Sequence, residues 1–318
     1  MSASASSPAA PSAKPSAKSP AGPVGWLYDN PYLLLILTMA MWGGHSVVSR
    51  LAVGEISPAT LTCLRWLIVC SFMLTLSWRG LREHWPVLRP RLGYFALMGP
   101  LGFTSYNMLL YWSAHTTTAI NISIINAAMP AMIFAGAFFA FRQRVLPLQW
   151  LGLLVSIAGV VITAAKGDPA TLLSLSVNQG DILILIATIL YAGYSVLLRK
   201  RPAVPSPVFF TMLALTAAVA SVAVLGVEVA AGGFFWPTWK GWLALAFVAV
   251  FPSLLSQIFF IRAVELIGPG RAGLFTNLMP LFGAGFAMLF IGEVLSPYHV
   301  VALVLVIGGI LLAELRRR

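Results

Sequence analysis

Charge is what this chain has least of. Asp, Glu, Lys and Arg together make up 9% of its 318 residues, against about 25% in an ordinary soluble domain. With 59% hydrophobic residues, there is too little polar surface to coat a water-soluble fold. Acids are the scarcest charge. Asp29, Glu55, Glu83, Asp168, Asp181, Glu228, Glu265, Glu293 and Glu314 all fall at the ends of apolar runs or between them. Cysteine is nearly absent. Cys63 and Cys70 stand seven residues apart in one apolar run, too far for a disulfide within one helix, and read as small buried hydrophobes. No metal-ligand or redox spacing occurs, so no metal and no cofactor is expected. No acid pair, His/Asp set or serine with a base lies at depth in an apolar run, which argues against an enzyme. Residues 1–25 are almost entirely Ser, Ala, Pro, Lys and Gly. They lack the apolar stretch and cleavage site of a secretory signal. They cannot bury apolar surface either, so residues 1–30 are expected to form a disordered cytoplasmic tail. The Ser-rich, acid-poor character also fits an organelle transit peptide, but prolines are many and Arg is missing.

Long hydrophobic runs fill the rest. Ten are of a length to cross about 30 Å of hydrocarbon: 32–53, 57–77, 92–113, 118–140, 148–165, 181–199, 207–229, 241–263, 271–291 and 296–314. The net charge of +11 would suggest nucleic acid for a soluble protein. Here the cations sit in short loops between apolar runs, so the partner they point to is a lipid bilayer and not a nucleic acid. If the N-terminus is cytoplasmic, sixteen of the twenty basic residues fall on the cytoplasmic side: Lys14, Lys18, Arg79, Arg82, Arg89, Arg91, Arg142, Arg144, Arg199, Lys200, Arg201, Arg262, Arg271 and Arg316 to Arg318. Only Arg50, Lys166 and Lys240 fall outside, and Arg65 lies inside a span. This asymmetry places both termini in the cytoplasm.

The chain also repeats itself. Pro130 matches Pro280, Gln143 matches Glu293, Pro147 matches Pro297 and Gly159 matches Gly309, all at an offset of 150. Gly44, Ser46, Val47 and Arg50 match Gly193, Ser195, Val196 and Arg199 at 149, as Ser57-Pro58 matches Ser206-Pro207. Five spans per copy is an odd number, so the second copy enters the membrane from the opposite side. The expected fold is all-α and polytopic: ten transmembrane helices as two inverted five-helix repeats around a central cavity. The first repeat covers 31–166, an external linker 167–180, and the second repeat 181–315.

Several motifs carry a family resemblance. They are Trp42-Gly43-Gly44, Arg65, the stretch from Ser113-Ala114 to Pro130, Gly292-Glu293-Val294-Leu295 and Gly308-Gly309. Over about residues 30–314 the chain resembles the drug/metabolite transporter superfamily, and within it the EamA-type ten-helix permeases. It looks most like the bacterial neutral and aromatic amino-acid exporters. The resemblance implies a multi-pass protein of the bacterial inner membrane, a small-molecule substrate, no obligate protein partner, and a cavity lined by spans 1, 3, 4, 6, 8 and 9. Gln143 departs from the family pattern, where Glu is usual, which points to a structural role for that loop position and for Glu293.

Polar groups at membrane depth are costly and face protein or a water-filled cavity. Trp42, His45 and Ser46 lie within one turn of span 1, and Tyr191, Tyr194 and Ser195 are their counterparts in span 6. Asn107 and Tyr111 share a face of span 3; Ser253 and Gln257 share one of span 8, with Gln257 matching Asn107. Asn126 with Pro130, and Asn277 with Pro280, mark spans 4 and 9. These residues are candidates for a substrate-binding cavity wall, the alternative for each being a hydrogen bond between packed helices. His45 reads as a neutral member of the wall or a proton-linked switch. Arg65 reads as a structural charge that snorkels to the outer interface or meets a neighbouring helix, or as a contact for a substrate carboxylate. Pro130 and Pro280, each near the middle of a span, are expected to kink it and to act as hinges. With no acid near the midplane, the expected activity is facilitated export of neutral or aromatic amino acids. Another metabolite (a purine, a sugar derivative or a drug) is the alternative.

Overall fold

The computed structural model describes residues 23–142, 146–168, 170, 178–268, 272 and 275–314. Among them every regular element is helical. In chain order these are α1 (Pro23–Tyr28), α2 (Pro31–Leu51), α3 (Pro58–Leu88), α4 (Leu92–Gly99), α5 (Ser105–Ser113), α6 (Ala119–Ala127), α7 (Met129–Phe141) and α8 (Pro147–Ala164). The second half gives α9 (Gln179–Leu197), α10 (Ser206–Ala230), α11 (Trp239–Ala249), α12 (Ser256–Ile267), α13 (Met279–Ile291) and α14 (Pro297–Glu314). Starts are written in the sequence. The side chains of Asn30, Ser57, Thr118, Asn178 and Thr238 each accept a backbone N–H in the first turn of the helix that follows, satisfying donors that a helix start leaves free.

Seven helical runs are long and apolar enough to cross a membrane, and Phe275–Ile291 and Pro297–Leu312 are shorter apolar helices. One of the seven, Pro58–Ser113, has 56 residues. It is not one rod. Arg65 hydrogen-bonds Asn107 and Tyr111, and a straight helix would hold Arg65 and Asn107 about 63 Å apart. The run therefore doubles back near Leu88–Leu92. The tail also differs from expectation at its end, since Pro23–Tyr28 is helical. Leu27 packs with Leu34 and Leu35 of α2, and Arg262 of α12 reaches Asp29 at 3.0 Å and stacks 4.7 Å from the Tyr28 ring. Composition over the whole tail hid the apolar Trp26-Leu27-Tyr28 at its end.

Counterpart helices pack antiparallel, which is the signature of inversion. Along α8 and α14, a Cβ on Gly159 would meet Ala302 and Val306, and one on Gly309 would meet Gly152 and Ser156. Since 302, 306 and 309 are 152, 156 and 159 displaced by 150, the contact is its own mirror under a two-fold. The Ser156 hydroxyl donates to the Val306 carbonyl at 3.3 Å on that axis. Likewise α3 and α10 run in opposite senses. Ala59 N donates to Glu228, the Thr211 hydroxyl donates to Met73 O, and Gly80 abuts Val208. A two-fold relating antiparallel partners lies across the helices, hence in the plane of a membrane they span.

The repeats are also interlocked. The first helix of each packs into the other copy: α2 against α12 and α13, α9 against α5 and α7. The loops sort into two ends. The terminal end, where α2 starts, holds 28–30, 88–92 and 198–205, tied by Arg262 to Tyr28 and by the Tyr94 hydroxyl to Leu197 O. The far end holds 52–57, 114–118, 231–238 and 292–296, tied by Thr238 N to Glu55 O and by Glu293 to Ala119. Arg79, Arg82, Arg89, Arg91, Arg199, Lys200, Arg201 and Arg262 lie toward the terminal end.

Candidate substrate cavity

The cavity wall is shaped by two breaks in helical hydrogen bonding. Residues Pro100–Thr104, between α4 and α5, and Val250–Leu255, between α11 and α12, are π-helical. They occupy corresponding places in the two copies, and such bulges often mark functional sites. In the second, Pro252 has no N–H to give the Val248 carbonyl. The Ser253 hydroxyl takes that carbonyl instead, donating at 2.5 Å. Its oxygen then accepts Arg65 Nε at 2.7 Å. The Pro252 carbonyl, which accepts the Ser256 hydroxyl at 2.7 Å, also receives Trp42 Nε1 at 3.3 Å, and Ser256 Oγ receives the same N–H at 3.0 Å. One proline thus supplies acceptors for two residues of the wall.

Between the helices lies a cavity of about 290 Å³. Of the residues singled out in the sequence, Trp42, His45, Ser46, Asn107, Asn126, Tyr191 and Gln257 line it. So does Pro130, with Met129 beside it. Four expected residues do not. Tyr111 lies behind the wall, held by Arg65 Nη1 at 2.8 Å and by His45 at 3.1 Å. Tyr194 is wedged onto Gly102, where a Cβ would lie 2.5 Å from its ring, and packs 5.4 Å from Phe103. The Ser195 hydroxyl turns back to the Tyr191 carbonyl at 2.9 Å. Asn277 sits in the 3-10 turn Phe275–Leu278 with its Oδ1 buried and unpartnered. Only its neighbours Thr276 and Met279 reach the cavity. Lining residues that sequence reasoning passed over include Trp66, Phe103, Tyr106, Ile133 and Phe260. Tyr106 and Phe103 stand one and four places before Asn107, so the face of span 3 carried the signal.

Of the readings open for Arg65, the structure shows contact with neighbouring helices. It does not snorkel. It lines the cavity at 5% exposure, and four neutral residues grip it. Nη1 lies 2.6 Å from Asn107 Oδ1, 2.8 Å from the Tyr111 hydroxyl and 2.9 Å from His45 Nε2. A guanidinium can only donate. His45 Nε2 is therefore an acceptor and carries its proton on Nδ1, a tautomer fixed by the hydrogen-bond network. No carboxylate lies within 4.0 Å of Arg65 among the described residues.

Glu293 is not in the cavity. Its two oxygens accept the N–H groups of Ala119 and Ile120 at 2.8 and 3.0 Å, where a carboxylate at a helix N-terminus is stabilised by the helix dipole. Its counterpart Gln143, like Arg144, Arg271, Gly273 and the chain ends, lies outside the described residues. Pro130 and Pro280 each stand just after a break in the helical run 119–141 or 275–291. Each is the second residue of a helix, α7 or α13, that restarts after a break, where the missing N–H costs nothing. A buried network that sequence reasoning missed closes the far end. The Thr117 hydroxyl and Asn121 Nδ2 donate to Asp181, while His299 Nε2 donates to Asn121 Oδ1 at 3.1 Å. His299 Nδ1 in turn accepts Ser296 N at 3.0 Å.

The cavity is asymmetric along the helix direction. His45, Arg65, Asn107 and Ser253 at its inner wall are buried, and beyond them toward the far end Val47, Ile56, Leu61, Leu110, Ile122, Leu245 and Val248 form one apolar cluster. On the other side Ile133, Phe260, Thr276 and Met279 are only partly buried. Among the described residues the cavity is therefore less enclosed toward the terminal end.

An all-helical, membrane-spanning inverted repeat around a polar-aromatic cavity defines a membrane transporter. The chain belongs to the EamA-like transporter family, whose pattern it matches twice, over residues 30–165 and 178–315. Similar proteins include the uncharacterized transporter YyaM of Bacillus subtilis, 24% identical over 90% of this chain and 93% of that protein. Another is the uncharacterized inner membrane transporter YedA of Escherichia coli K12, 27% identical over 86% and 87%. One solved crystal structure, 19% identical, shares the fold with a TM-score of 0.60 over 89% of this chain and 96% of its own.

Proposed function

We propose that this transporter exports neutral or aromatic amino acids across a bacterial inner membrane, by alternating access across ten helical crossings. The observation that carries the reading is the cavity itself. It is small, near the lower end of the roughly 300–1,000 Å³ typical of ligand sites. Trp42, Tyr106, Tyr191 and Phe260 offer aromatic faces there, beside Ser46, Asn126 and Gln257. The aromatic faces suit an apolar side chain, and the amide and hydroxyl groups suit an amino-acid head. No acidic side chain lines it among the described residues, so protons have no carboxylate to ride on, and the reading is facilitated transport down the solute's own gradient. With the arginine-rich terminal end in the cytoplasm, the described state is open to the cytoplasm and ready to load a substrate for export.

Pro130 and Pro280, at matched helix restarts, are the proposed hinges. The moving bodies follow the interlock: α2 with α12 and α13, against α9 with α5 and α7. The test is counterflow in liposomes holding the purified chain, with a panel of neutral, aromatic, acidic and basic amino acids. Uptake of labelled phenylalanine or leucine driven by the unlabelled solute, with or without a pH gradient, is the expected result. No exchange of any neutral amino acid, with exchange of a purine or sugar derivative, would replace the substrate reading. Exchange that collapses without a pH gradient would replace the facilitated one.

A further inference from the structure

Arg65 carries a full positive charge inside the protein, and everything the described residues offer it is neutral. Its Nε is spent on Ser253 and its Nη1 on Asn107, Tyr111 and His45. Nη2 has no acceptor among the described residues. Such a cation is costly to bury unless an opposite charge joins it. Beside it stands a second unfilled donor. Trp66 also lines the cavity, its ring centre is 5.5 Å from the guanidinium carbon, and its Nε1 is buried without a partner. Four neighbouring side chains share the three N–H groups of Nε and Nη1 and hold the guanidinium in place, so little ordering is left to be done when an anion arrives.

We propose that Arg65 is the anchor for an anionic group of the transported solute, a carboxylate, and so sets the charge class the cavity accepts. The inference rests on transport through this cavity as read above and deepens it. The carboxylate enters first, toward the sealed far side, and accepts from Nη2 in a charge-assisted hydrogen bond. The rest of the solute lies toward the mouth, against Trp42, Tyr191 and Phe260. An ammonium group finds no acid to pair with, and a solute that is cationic overall meets the Arg65 charge unopposed. Amino acids and simple monocarboxylates are accepted; amines and amino-acid amides are refused.

The experiment uses the purified full-length chain and matched pairs of probes: acetate and acetamide, benzoate and benzamide, 3-phenylpropionate and 3-phenylpropanamide, phenylalanine and phenylalanine amide. Binding is read by calorimetry and by the rise in melting temperature. The expected result is that at least one acid binds about tenfold or more tightly than its amide. That preference falls to near unity in Arg65→Gln and survives in part in Arg65→Lys. Because Arg65→Gln can disturb folding, Asn107→Asp serves as a second variant. It places a carboxylate where the guanidinium already points, so it is expected to raise the melting temperature while abolishing the acid preference. A purely structural Arg65 would leave the acid-to-amide ratio of Asn107→Asp unchanged. The proposal is overturned if no carboxylate stabilises the wild-type chain, if acids and amides bind alike, or if the preference survives Arg65→Gln or Asn107→Asp. If simple carboxylates bind through Arg65 and no amino acid does, the anion anchor stands and the amino-acid reading falls.

Discussion

The far and terminal halves of this molecule are built from the same repeated sequence, yet they pack differently. In the far half one apolar cluster runs through both repeats, from Val47 and Leu61 across Leu110 and Ile122 to Val248 and Ala287. Its end is stitched by Glu293 on α6 and by the Thr117–Asp181–Asn121–His299 network. In the terminal half the apolar side chains divide into two clusters. One joins Trp66, Phe95, Phe103, Tyr194 and Phe210, and the other joins Leu34, Leu35 and Ala263. The cavity separates them. A perfect two-fold in the membrane plane would exchange the two halves and make them equal. That they are unequal means the two repeats pack differently at the two ends, in one continuous cluster at the far end and in two separate clusters at the terminal end.

The comparison breaks most decisively on accessibility. In a Cys63→Ala, Cys70→Ala background, single cysteines at Ile133 or Phe260 stand at the mouth, while cysteines at Leu61 or Val248 stand inside the far seal. A water-soluble thiol reagent is expected to label the first pair at least about tenfold faster than the second, because thiol reactivity requires exposure. Equal labelling of all four, measured by mass spectrometry, would abolish the distinction between open and sealed halves. Labelling only from the cytoplasmic side of oriented vesicles would fix which way the opening faces.

Stability offers the next test, on the helix pair that both halves share. A Cβ at Gly309 would overlap the Gly152 carbonyl oxygen, backbone against backbone, where neither atom can turn away. Gly309→Ala is expected to cost about 1–3 kcal/mol through overpacking. Gly193, also on a helix, has open space for 4 Å around the point where a methyl group would stand. Gly193→Ala is expected to leave the protein unchanged or stabilise it by about 0.5–1 kcal/mol. Denaturation of the two variants side by side checks the pair; equal stabilities would mean that the α8–α14 contact is not the close one described.

Sequence carried the architecture well and the cavity only by halves, for a physical reason. Hydropathy and the 150-residue offset read directly on the helical membrane class, the repeat and the inversion, since these depend on length, composition and parity. The offset also implied that matched residues share a fate, and here the asymmetry intervened. Trp42 and Tyr191 both line the cavity, but Ser46 lines it while Ser195 bonds its own helix, and His45 lines it while Tyr194 is packed on Gly102. Which copy keeps a residue in the cavity is decided by close packing of neighbours far apart in the chain. Arg65 was visible as a misplaced charge. Its company of Ser253, Asn107, Tyr111 and His45 came only with the fold, because a proline 187 residues away exposes the serine that holds it. His299, two residues into α14, is buried at 3% exposure, and its partner Asn121 belongs to the other repeat.

The smallest effect on stability belongs to the change that most sharpens the two-state reading. Pro280 stands at the second residue of α13, where a helix has no use for the missing N–H. Replacing it with alanine therefore leaves the folded state within about 0.5 kcal/mol of the original. What alanine adds is a donor, and with it the means for the turn Phe275–Leu278 and α13 to join into one unbroken helix. A continuous helix cannot bend at that point, so Pro280→Ala is expected to keep its melting temperature and its solute affinity while slowing counterflow. The same change at Pro130, which borders the cavity, alters both rate and affinity. If Pro280→Ala exchanges solute as fast as the original chain, the break before α13 is a packing detail, and motion between the open and sealed halves must be sought elsewhere, first at the π-helical segment Val250–Leu255.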